Sequence, residues 1–442
     1  MTSTAKLYEV FTNSSGICTD TRSIKADCIY WALIGANFNG NTFVDAALAS
    51  GAKYAVVSDS DLADNNKIFY VKDSLKALQE LANYHRRQFE IPILAITGSN
   101  GKTTTKELVA SVLSRKYRTH VTKGNLNNHI GVPLTLLEMK MDTEIAVIEM
   151  GANHQGEIND LCLIAEPTCG LITNIGKAHL EGFGGIEGVK KGKSELYRFL
   201  DGNRSLIFVN WEEPELRELA SRYSRLILYG LTENAQDNEN FNYSYSVEKS
   251  EPFLDISFYS PDHGLFEAQS NLIGRYNIAN ITSAMSVGLY FKVPELEICK
   301  AIESYFPNNN RSEVRNYGEL KVVMDAYNAN PTSMEHALKN FAMMTGHPKR
   351  VILGDMFELG ESSFSEHQTI INMCLNLGFD EVILVGNFFH EAAKDHKEIK
   401  SFPDLISCQE YLSSQPKGKG LLLLKASRGM KLESLLDQLV GG

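Results

Sequence analysis

The sequence predicts an α/β protein of three domains, and three observations support that prediction. Strand-like apolar runs alternate with helical patterns over residues 92–175 and again from about residue 310, which is typical of parallel sheets covered by helices. These runs end in glycine or polar residues, as in doubly wound sheets that bind ligands at the ends of their strands. The length of 442 residues suits about three domains of ~150 residues each.

The expected domains differ in size and in fold. Residues 1–88 form a small N-terminal α/β module, residues 89–308 a central domain with a doubly wound, mostly parallel sheet, and residues 309–442 a C-terminal Rossmann-like domain. The first boundary follows a helical pattern over residues 74–89, because a new apolar strand begins near Pro92. Residues 235–270 alternate in a way that predicts a β-meander at the edge of the central sheet.

Composition and charge exclude several classes of partner. The chain is 43% hydrophobic and 22% charged, as in ordinary soluble proteins. A net charge of −11 without a Lys/Arg-rich run argues against a nucleic-acid partner. We expect no signal peptide and no membrane span, since no basic segment precedes an apolar stretch and no apolar run approaches ~18 residues. The seven scattered cysteines form no CxxC pair, which favours a reducing cytoplasm.

The segment PILAITGSNGKTTTKE, residues 92–107, carries the strongest functional signal. An apolar strand, a glycine loop and a helical pattern from Thr104 follow one another, which directs backbone N–H groups and a helix N-terminus at phosphates. Lys102 is expected on the β- and γ-phosphates of ATP, and the Thr103 hydroxyl on Mg²⁺. Ile96 stands where the longer form of this P-loop motif has glycine, so the strand and helix around the loop carry the prediction. The predicted ATP-binding residues of the loop are Gly98, Ser99, Asn100, Gly101, Lys102, Thr103 and Thr104.

Two further strand ends in the central domain carry candidate metal ligands. Glu149 ends the run IAVIEM, where a carboxylate beside a phosphate loop can hold Mg²⁺. A strand-end glutamate that faces solvent explains Glu149 equally well. His179 follows the next strand, in LITNIGKAHLEGFGG. That position favours a ligand role over the more common role of a hydrogen-bonded structural histidine.

Two other polar groups of the central domain have open interpretations. The segment KGNLNNHIGVP, residues 123–133, contains Asn125, Asn127 and Asn128. They are either turn formers or amide groups for a polar, phosphorylated substrate, and the residues alone do not decide. Lys193 lies on a predicted helix in GVKKGKSELY, and its ordinary interpretation is a solvated lysine.

In the C-terminal domain, three segments lie between a strand and a helix. The first is DAYNANP, residues 325–331, where Asn330 as N-cap and Pro331 at the first helical position account for two residues. Asp325 and Asn328 are left free to bind a ligand. The segments GDMFELG (354–360) and KASRGM (425–430) occupy equivalent positions. Arg428 in the latter is either a clamp for phosphate or carboxylate, which its planar fork suits, or a surface arginine.

Taken together, these segments resemble the ATP-dependent Mur ligases of peptidoglycan synthesis. The resemblance also includes TDTR at 19–22, EMGANHQGEI at 149–158, GRYNIANITSAM at 274–285 and RSEV at 311–314. The phosphate loop and the AHLE string are shared by all Mur ligases and by folylpolyglutamate synthases. DAYNANP followed by GDMFELG is most similar to the branch that adds D-alanyl-D-alanine to UDP-N-acetylmuramoyl-tripeptide. No DNPR string is present, so the branch that adds the third residue of the peptide resembles this chain less.

The resemblance implies a cytoplasmic, monomeric ligase that uses ATP and two Mg²⁺ ions. It assigns Thr103 and Glu149 to the first ion and His179 to the second. It also implies that Lys193 is carbamylated, which would place an anion beside the two dications. Lys102, Lys193 and His179 are the implied catalytic residues. The remaining implied contacts are ATP on Asn280, Arg311 and Asp325, and the two substrates on Asp20, Thr21, Arg22, Asn125, Asn127, Asn128, Asn328 and Arg428.

Three positions depart from the usual pattern of the family. Thr21 stands where serine is more common, Ala426 where glycine is more common, and Tyr276 where histidine is more common. These departures affect details of substrate contact. Two other functions remain alternatives: a folylpolyglutamate synthase, against which the N-terminal module argues, and a P-loop ATPase that uses hydrolysis to change shape.

Overall fold

A sheet of parallel strands lies at the centre of the N-terminal domain in this computed structural model, which describes residues 1–63, 65–237, 240–250, 253–307, 310–416 and 418–440. The main sheet has the strand order β1-β2-β5-β6, and β3 and β4 pair as a separate hairpin. The strands are β1 (Ile17–Cys18), β2 (Ile29–Trp31), β3 (Ile34–Gly35), β4 (Phe38–Asn39), β5 (Tyr54–Val57) and β6 (Ile68–Tyr70), and the helices are α1 (Thr4–Thr12), α2 (Val44–Ala49) and α3 (Ser74–Arg86). Helix α3 confirms the helical pattern expected over residues 74–89.

The central domain contains the largest sheet, with the order β15-β14-β13-β12-β11-β10-β7-β9-β8 among the described residues. Its strands are β7 (Ile93–Thr97), β8 (Thr119–Val121), β9 (Ile145–Glu149), β10 (Cys169–Ile172), β11 (Leu206–Asn210), β12 (Leu226–Leu231), β13 (Tyr243–Lys249), β14 (Leu254–Ser260) and β15 (Gly264–Ser270). Its helices are α4 (Lys102–Leu113), α5 (Gly131–Leu137), α6 (Glu157–Ala165), α7 (Leu180–Phe183), α8 (Ile186–Lys193), α9 (Glu195–Gly202), α10 (Pro214–Ala220), α11 (Asn277–Tyr290) and α12 (Glu295–Glu303).

Strand β7 shows why this sheet is doubly wound. Ile93 and Ala95 belong to the hydrophobic core on one face, whereas Leu94 and Ile96 belong to the core on the other. Both faces are buried under helices, which explains the continuous apolar run in the sequence. Strands β7 to β13 pair in parallel, and β13, β14 and β15 are antiparallel at the edge. The predicted meander is therefore confirmed.

The C-terminal domain contains a sheet of order β16-β17-β21-β18-β19-β20, in which only β16 is antiparallel within the part of the chain that is described. Its strands are β16 (Glu313–Tyr317), β17 (Leu320–Asp325), β18 (Lys349–Gly354), β19 (Glu381–Val385), β20 (Lys400–Phe402) and β21 (Gly420–Lys425), and its helices are α13 (Pro331–Met343), α14 (Ser363–Leu377), α15 (Asn387–Ala392), α16 (Leu405–Ser413) and α17 (Leu436–Val440). The parallel register places Asp325 beside Lys425 at the strand ends.

Local predictions from the sequence are confirmed in two domains, with one shift of a boundary. Asn330 caps α13 through the amide of Ser333, and Pro331 is its first residue. Helix α4 begins at Lys102 and not at Thr104, because Gly101, with φ of 77°, is the last non-helical residue. The α/β fold class is confirmed, but the expected domain boundaries remain predictions, and Asn308 and Asn309 lie outside the described residues. Among the described helices, none is long and apolar enough to cross a membrane.

Candidate active site

A cleft of about 860 Å³ lies between the central and C-terminal domains, at the ends of their parallel strands. Most of the predicted site residues line it. They are Ser99, Asn100, Gly101, Lys102, Thr103, Thr104, Asn125, Asn127, Asn128, Glu149, His179, Asn280, Arg311, Asp325, Asn328 and Arg428. The predicted residues outside the lining are Asp20, Thr21, Arg22, Gly98 and Lys193.

The phosphate loop, which is the glycine loop of the P-loop motif at residues 98–104, needs glycine at two positions for steric reasons. A Cβ atom on Gly98, whose φ is 142°, would lie 1.9 Å from Oγ1 of Thr173. A Cβ atom on Gly101 would lie 2.5 Å from Oδ1 of Asn280. The loop is thus packed against β10 and α11, which keeps its backbone amides close to the cleft.

Lys102 lies on this loop and folds back over it. Its Nζ donates hydrogen bonds to the carbonyl oxygens of Gly98 at 2.7 Å and Ser99 at 3.2 Å. Loss of solvent lowers the pKa of Lys102 to about 8, although the Glu149 carboxylate acts in the opposite direction. A phosphate chain in the loop would offer this ammonium stronger, charged acceptors than the two carbonyls.

Glu149 is buried at the end of β9 and contacts the phosphate loop. Its Oε1 accepts hydrogen bonds from Thr103 Oγ1 at 3.2 Å and from Asn127 Nδ2 at 2.7 Å. Its Oε2 lies 3.5 Å from Nζ of Lys106 and forms no hydrogen bond among the described residues. One hydroxyl and one carboxylate with an oxygen free of hydrogen bonds fit Mg²⁺, which usually takes one or two protein ligands beside phosphates and water. The described residues contain no group of three acidic, histidine or cysteine side chains that could hold a metal by themselves.

His179 lines the cleft at the N-terminus of α7, in the left-handed backbone region with φ of 52°. Its Nδ1 lies in close contact with the Glu358 carboxylate of the C-terminal domain. That contact keeps the pKa of Glu358 below its usual value. Glu358 belongs to the GDMFELG segment. The sequence did not indicate that His179 contacts this segment across the cleft.

Lys193, expected from its residues alone to be solvated, is buried. The side chain is 1% exposed, and its Nζ donates a hydrogen bond to the carbonyl oxygen of Ala152 at 3.0 Å. Burial lowers the pKa of Lys193 far below the ordinary value, and the charge of Lys102 adds to the effect. The neighbouring Glu195 is occupied by the N-terminus of α6, since it accepts the amides of Gly156 and Asn159.

The side chains of the asparagine loop, residues 123–128, have different partners. Asn127 binds the Glu149 carboxylate. Asn128 shapes the turn, because its Oδ1 accepts the amides of Ile130 and Gly131 at 3.1 and 2.9 Å. Asn127 therefore joins the candidate site directly, whereas Asn128 supports the loop that presents it.

Asp325 and Arg311 lie on the C-terminal side of the cleft. Asp325 Oδ2 is 2.6 Å from Nζ of the buried Lys425, and its Oδ1 accepts the Ser312 amide at 3.3 Å. The Arg311 guanidinium lies 3.7 Å from the ring centroid of Tyr327. The Arg311 Nε is buried and has no hydrogen-bond partner in the described chain, so it is available to an anionic ligand.

Arg428 is more exposed and is paired with a neighbour. Its Nη1 lies 3.1 Å from the Glu433 carboxylate. Its guanidinium is 5.6 Å from the same Tyr327 ring. A substrate anion would therefore have to compete with Glu433 for this side chain.

Helix α11 supports the phosphate loop and reaches the C-terminal domain. Asn280 accepts a hydrogen bond from Thr105 at 2.9 Å and donates one to Asn277 at 2.7 Å, so its amide is held at both ends. Tyr276, where the family more often has histidine, hydrogen-bonds Ser312 at 2.6 Å. Burial raises the pKa of the Tyr276 hydroxyl.

Direct contacts hold the two domains together beside the cleft. Asn330 Nδ2 donates a hydrogen bond to Oδ1 of Asn100 at 2.8 Å. Lys177 Nζ lies 2.6 Å from the Glu366 carboxylate. The phosphate loop itself thus contacts the N-cap of α13.

The TDTR segment lies apart from the cleft. Arg22 Nη2 is 2.6 Å from Oδ2 of Asp20, and both side chains are exposed. This pairing lowers the pKa of Asp20 to about 2. Asp20 also caps the short 3₁₀ helix Thr21–Ser23.

Sequence reasoning missed several residues that line the cleft. Asn210 follows the pattern of polar strand ends, which could have indicated it. Glu213 lies in the same turn after β11 as Asn210, whereas Tyr245, on β13, carries no comparable signal. Burial raises the pKa of Glu213 to about 7.

The fold and the site define a P-loop nucleotide-binding protein whose cleft is completed by a Rossmann-like domain. Residues 96–288 match the model of the Mur ligase middle domain, and residues 310–428 match that of the Mur ligase, glutamate ligase domain. The chain belongs to the Mur ligase family, whose members are ATP-dependent ligases.

Similar proteins include a ligase of Bacillus subtilis and two MurF enzymes of known structure. The UDP-N-acetylmuramoyl-tripeptide–D-alanyl-D-alanine ligase of Bacillus subtilis is 34% identical over 96% of this chain and 93% of its own length. A crystal structure of MurF from Acinetobacter baumannii is 32% identical, covers 96% of this chain and 93% of its own, and gives a TM-score of 0.85. MurF from Thermotoga maritima in complex with ADP is 27% identical, covers 96% of each chain, and gives a TM-score of 0.82.

Proposed function

We propose that this protein joins D-alanyl-D-alanine to UDP-N-acetylmuramoyl-tripeptide at the expense of ATP. The single observation that supports this most is the similarity to the Bacillus subtilis ligase of that name along almost the whole of both chains. The N-terminal module is included in the match, which favours this activity over that of a folylpolyglutamate synthase. The shared cleft is consistent with a reaction that needs three substrates enclosed together.

The proposed chemistry has two steps. The terminal carboxylate of the UDP-linked peptide attacks the γ-phosphorus of ATP. ADP is the leaving group, and the peptide becomes an acyl phosphate. The amine of D-alanyl-D-alanine then attacks the acyl carbon, and phosphate leaves. Phosphorylation is needed because an unmodified carboxylate lacks a good leaving group.

The first step brings two anions together, so cationic groups must offset their repulsion. We assign this role to Lys102, whose Nζ already lies over the phosphate loop. Mg²⁺, bound at Thr103 and Glu149 and at His179, would neutralise phosphate charge and orient the oxygens. Arg311 and Asp325 are proposed to hold the nucleotide from the C-terminal side.

We further propose that Lys193 acts as a carbamate. An amine must be neutral to attack carbon dioxide, and burial lowers the pKa of Lys193 accordingly. Its Nζ hydrogen-bonds the carbonyl of Ala152, a residue that lines the cleft. The added carboxylate would extend the side chain toward the cleft and reverse its charge.

The proposed substrate contacts lie on different sides of the cleft. Asn127 and its loop are assigned to the UDP-linked peptide, Asn328 and Arg428 to the incoming dipeptide, and Asp20, Thr21 and Arg22 to the uridine diphosphate end. One chain supplies both faces of the cleft, so a monomer suffices. The cytoplasm is the proposed location, since ATP and nucleotide-linked precursors are available there.

The proposal is tested by ADP release with a panel of UDP-linked peptides and dipeptides. We expect release only when the acceptor and D-alanyl-D-alanine are both present, with one amide product formed for each ADP. ADP release that does not depend on the dipeptide would instead favour an ATPase that changes shape on hydrolysis. The panel also identifies the third residue of the preferred peptide.

A further inference from the structure

A second lysine of helix α4 is buried below the phosphate loop. Lys106 lies one helical turn after Lys102, and its side chain is only 2% exposed. Its Nζ donates a hydrogen bond to the carbonyl oxygen of Gly124 at 3.1 Å and lies 3.5 Å from Oε2 of Glu149. Lys106 does not line the cleft, so the proposed chemistry gives it no role.

The partners of Lys106 belong to two segments that meet at the candidate site. Glu149 ends β9, and Gly124 lies in the asparagine loop. A buried ammonium is costly unless charged and polar partners surround it, so these contacts constrain both segments relative to α4. The other oxygen of Glu149 accepts the amide of Asn127. Lys106 therefore holds the asparagine loop twice, directly at Gly124 and through Glu149 at Asn127.

Other hydrogen bonds restrain the rest of this loop. The Asn127 carbonyl accepts the Gly151 amide at 2.7 Å, the Leu126 and Asn127 amides donate to the Lys123 and Asn125 carbonyls at 3.2 and 2.8 Å, and Thr135 Oγ1 donates to the Leu126 carbonyl at 3.5 Å. None of these bonds involves Gly124, which Lys106 holds. Asn125, Asn127 and Asn128 line the cleft from this loop. Their placement is therefore sensitive to the anchor below them.

We propose that Lys106 is a positioning residue that sets the asparagine loop for binding of the UDP-linked peptide. It acts through Gly124 and Glu149 and does not touch the substrate. The assignment of the loop to that substrate rests on the proposed function. The anchoring of the loop by Lys106 does not, and the two are tested separately.

The first test measures backbone hydrogen exchange in the free protein. In Lys106→Met, exchange at residues 124–128 should be at least ~10-fold faster than in the parent protein, while helix α12 is unchanged, because only the loop loses its anchor. Lys123→Met is the matched control. Lys123 is the adjacent lysine, is 70% exposed and pairs with Glu138 on the surface, so its loss should leave exchange unchanged. Equal exchange in Lys106→Met and the parent would overturn the proposal whatever the enzyme's substrate.

The second test uses a double variant, Lys106→Met with Glu149→Gln, which removes both buried charges and so leaves neither unpaired if Lys106→Met alone does not fold. Glu149→Gln alone is the reference, because it keeps an acceptor for Asn127 and leaves Lys106 on Gly124. The dissociation constant of UDP-N-acetylmuramoyl-tripeptide is measured by calorimetry without nucleotide. We expect the double variant to bind at least ~10-fold more weakly than Glu149→Gln.

Two results of the second test count against different statements. Equal affinity of Glu149→Gln and the double variant would overturn the positioning role. Failure of the parent protein to bind this peptide would contradict the proposed function, while the exchange experiment would still decide whether Lys106 anchors the loop. In the exchange experiment, Lys106→Arg should show slower exchange at residues 124–128 than Lys106→Met, since arginine keeps a charged donor.

Discussion

Two ion pairs of the molecule differ more in burial than in distance. Arg22 and Asp20 approach to 2.6 Å, but their side chains are 88% and 43% exposed. Lys106 and Glu149 are 3.5 Å apart, and each is 2% exposed. Water and salt screen the exposed pair, so its shorter distance contributes little. Removing one partner of the buried pair leaves an uncompensated charge. Burial, and not proximity, therefore indicates which charges the candidate site depends on.

The largest expected effect concerns Lys102, a lysine that is shielded from solvent as Lys106 is. Lys102→Ala should reduce turnover at least ~100-fold, because it removes the cation assigned to the phosphates. The fold should persist, since the two hydrogen bonds of Lys102 go to loop carbonyls and not to the hydrophobic core. Steady-state ADP release and a thermal unfolding scan measure the two quantities. Near-normal turnover in a folded variant would remove Lys102 from the proposed mechanism.

Lys193 tests whether a buried lysine acts through its charge or through a modification. Lys193→Ala should lose about 100-fold in activity, and a short carboxylic acid in the buffer should restore part of it by replacing the missing anion. Mass spectrometry of the parent protein under bicarbonate should show the added carbamate. An unmodified lysine in the nucleotide-bound protein would contradict the carbamate.

The pH dependence of ATP use follows from the pKa of Lys102, which is about 8 in place of 10.5. The free protein loses this ammonium as the pH rises above about 8, so kcat/KM for ATP should fall there by roughly tenfold per pH unit. Bound phosphates favour the ammonium form of Lys102, so kcat should stay constant up to a higher pH than kcat/KM. This group binds more protons in the unfolded chain between pH 8 and 10.5, so its contribution to stability increases with pH across that window. A flat kcat/KM up to pH 10 would contradict the assignment.

The smallest effect is expected on the exposed side. Arg22→Ala should raise KM for the UDP-linked peptide by less than about 5-fold and leave the thermal midpoint unchanged, because solvent already screens its pair with Asp20. Initial rates over a range of peptide concentrations measure this. A loss of activity comparable to that of Lys102→Ala would show that the TDTR segment reaches the reacting groups. Burial would then not separate the important charges from the unimportant ones.

The same contrast separates what the sequence predicts from what it does not. Strand, glycine loop and helix around Lys102 follow from local patterns, as does the cap of Asn330 on α13. The burial of Lys193 and the pairing of His179 with Glu358 depend on packing between segments far apart in the chain. A lysine near the end of an amphipathic helix has the same pattern whether it is buried or solvated. The family resemblance indicated Lys193, but only the structure gives its environment.

The position of β21 has a consequence for synthesis of the chain. This strand, Gly420–Lys425, lies between β17 and β18, although nearly a hundred residues separate it from β17 in sequence. A ribosome has synthesised every described strand of the central sheet by residue 270, but β17 and β18 of the C-terminal sheet lack the strand between them until residue 425 has emerged. Because domains fold as units during translation, the nascent chain presents a finished phosphate loop long before Asp325 gains Lys425 as its neighbour. The candidate site therefore lacks its Asp325–Lys425 pair until β21 has been synthesised.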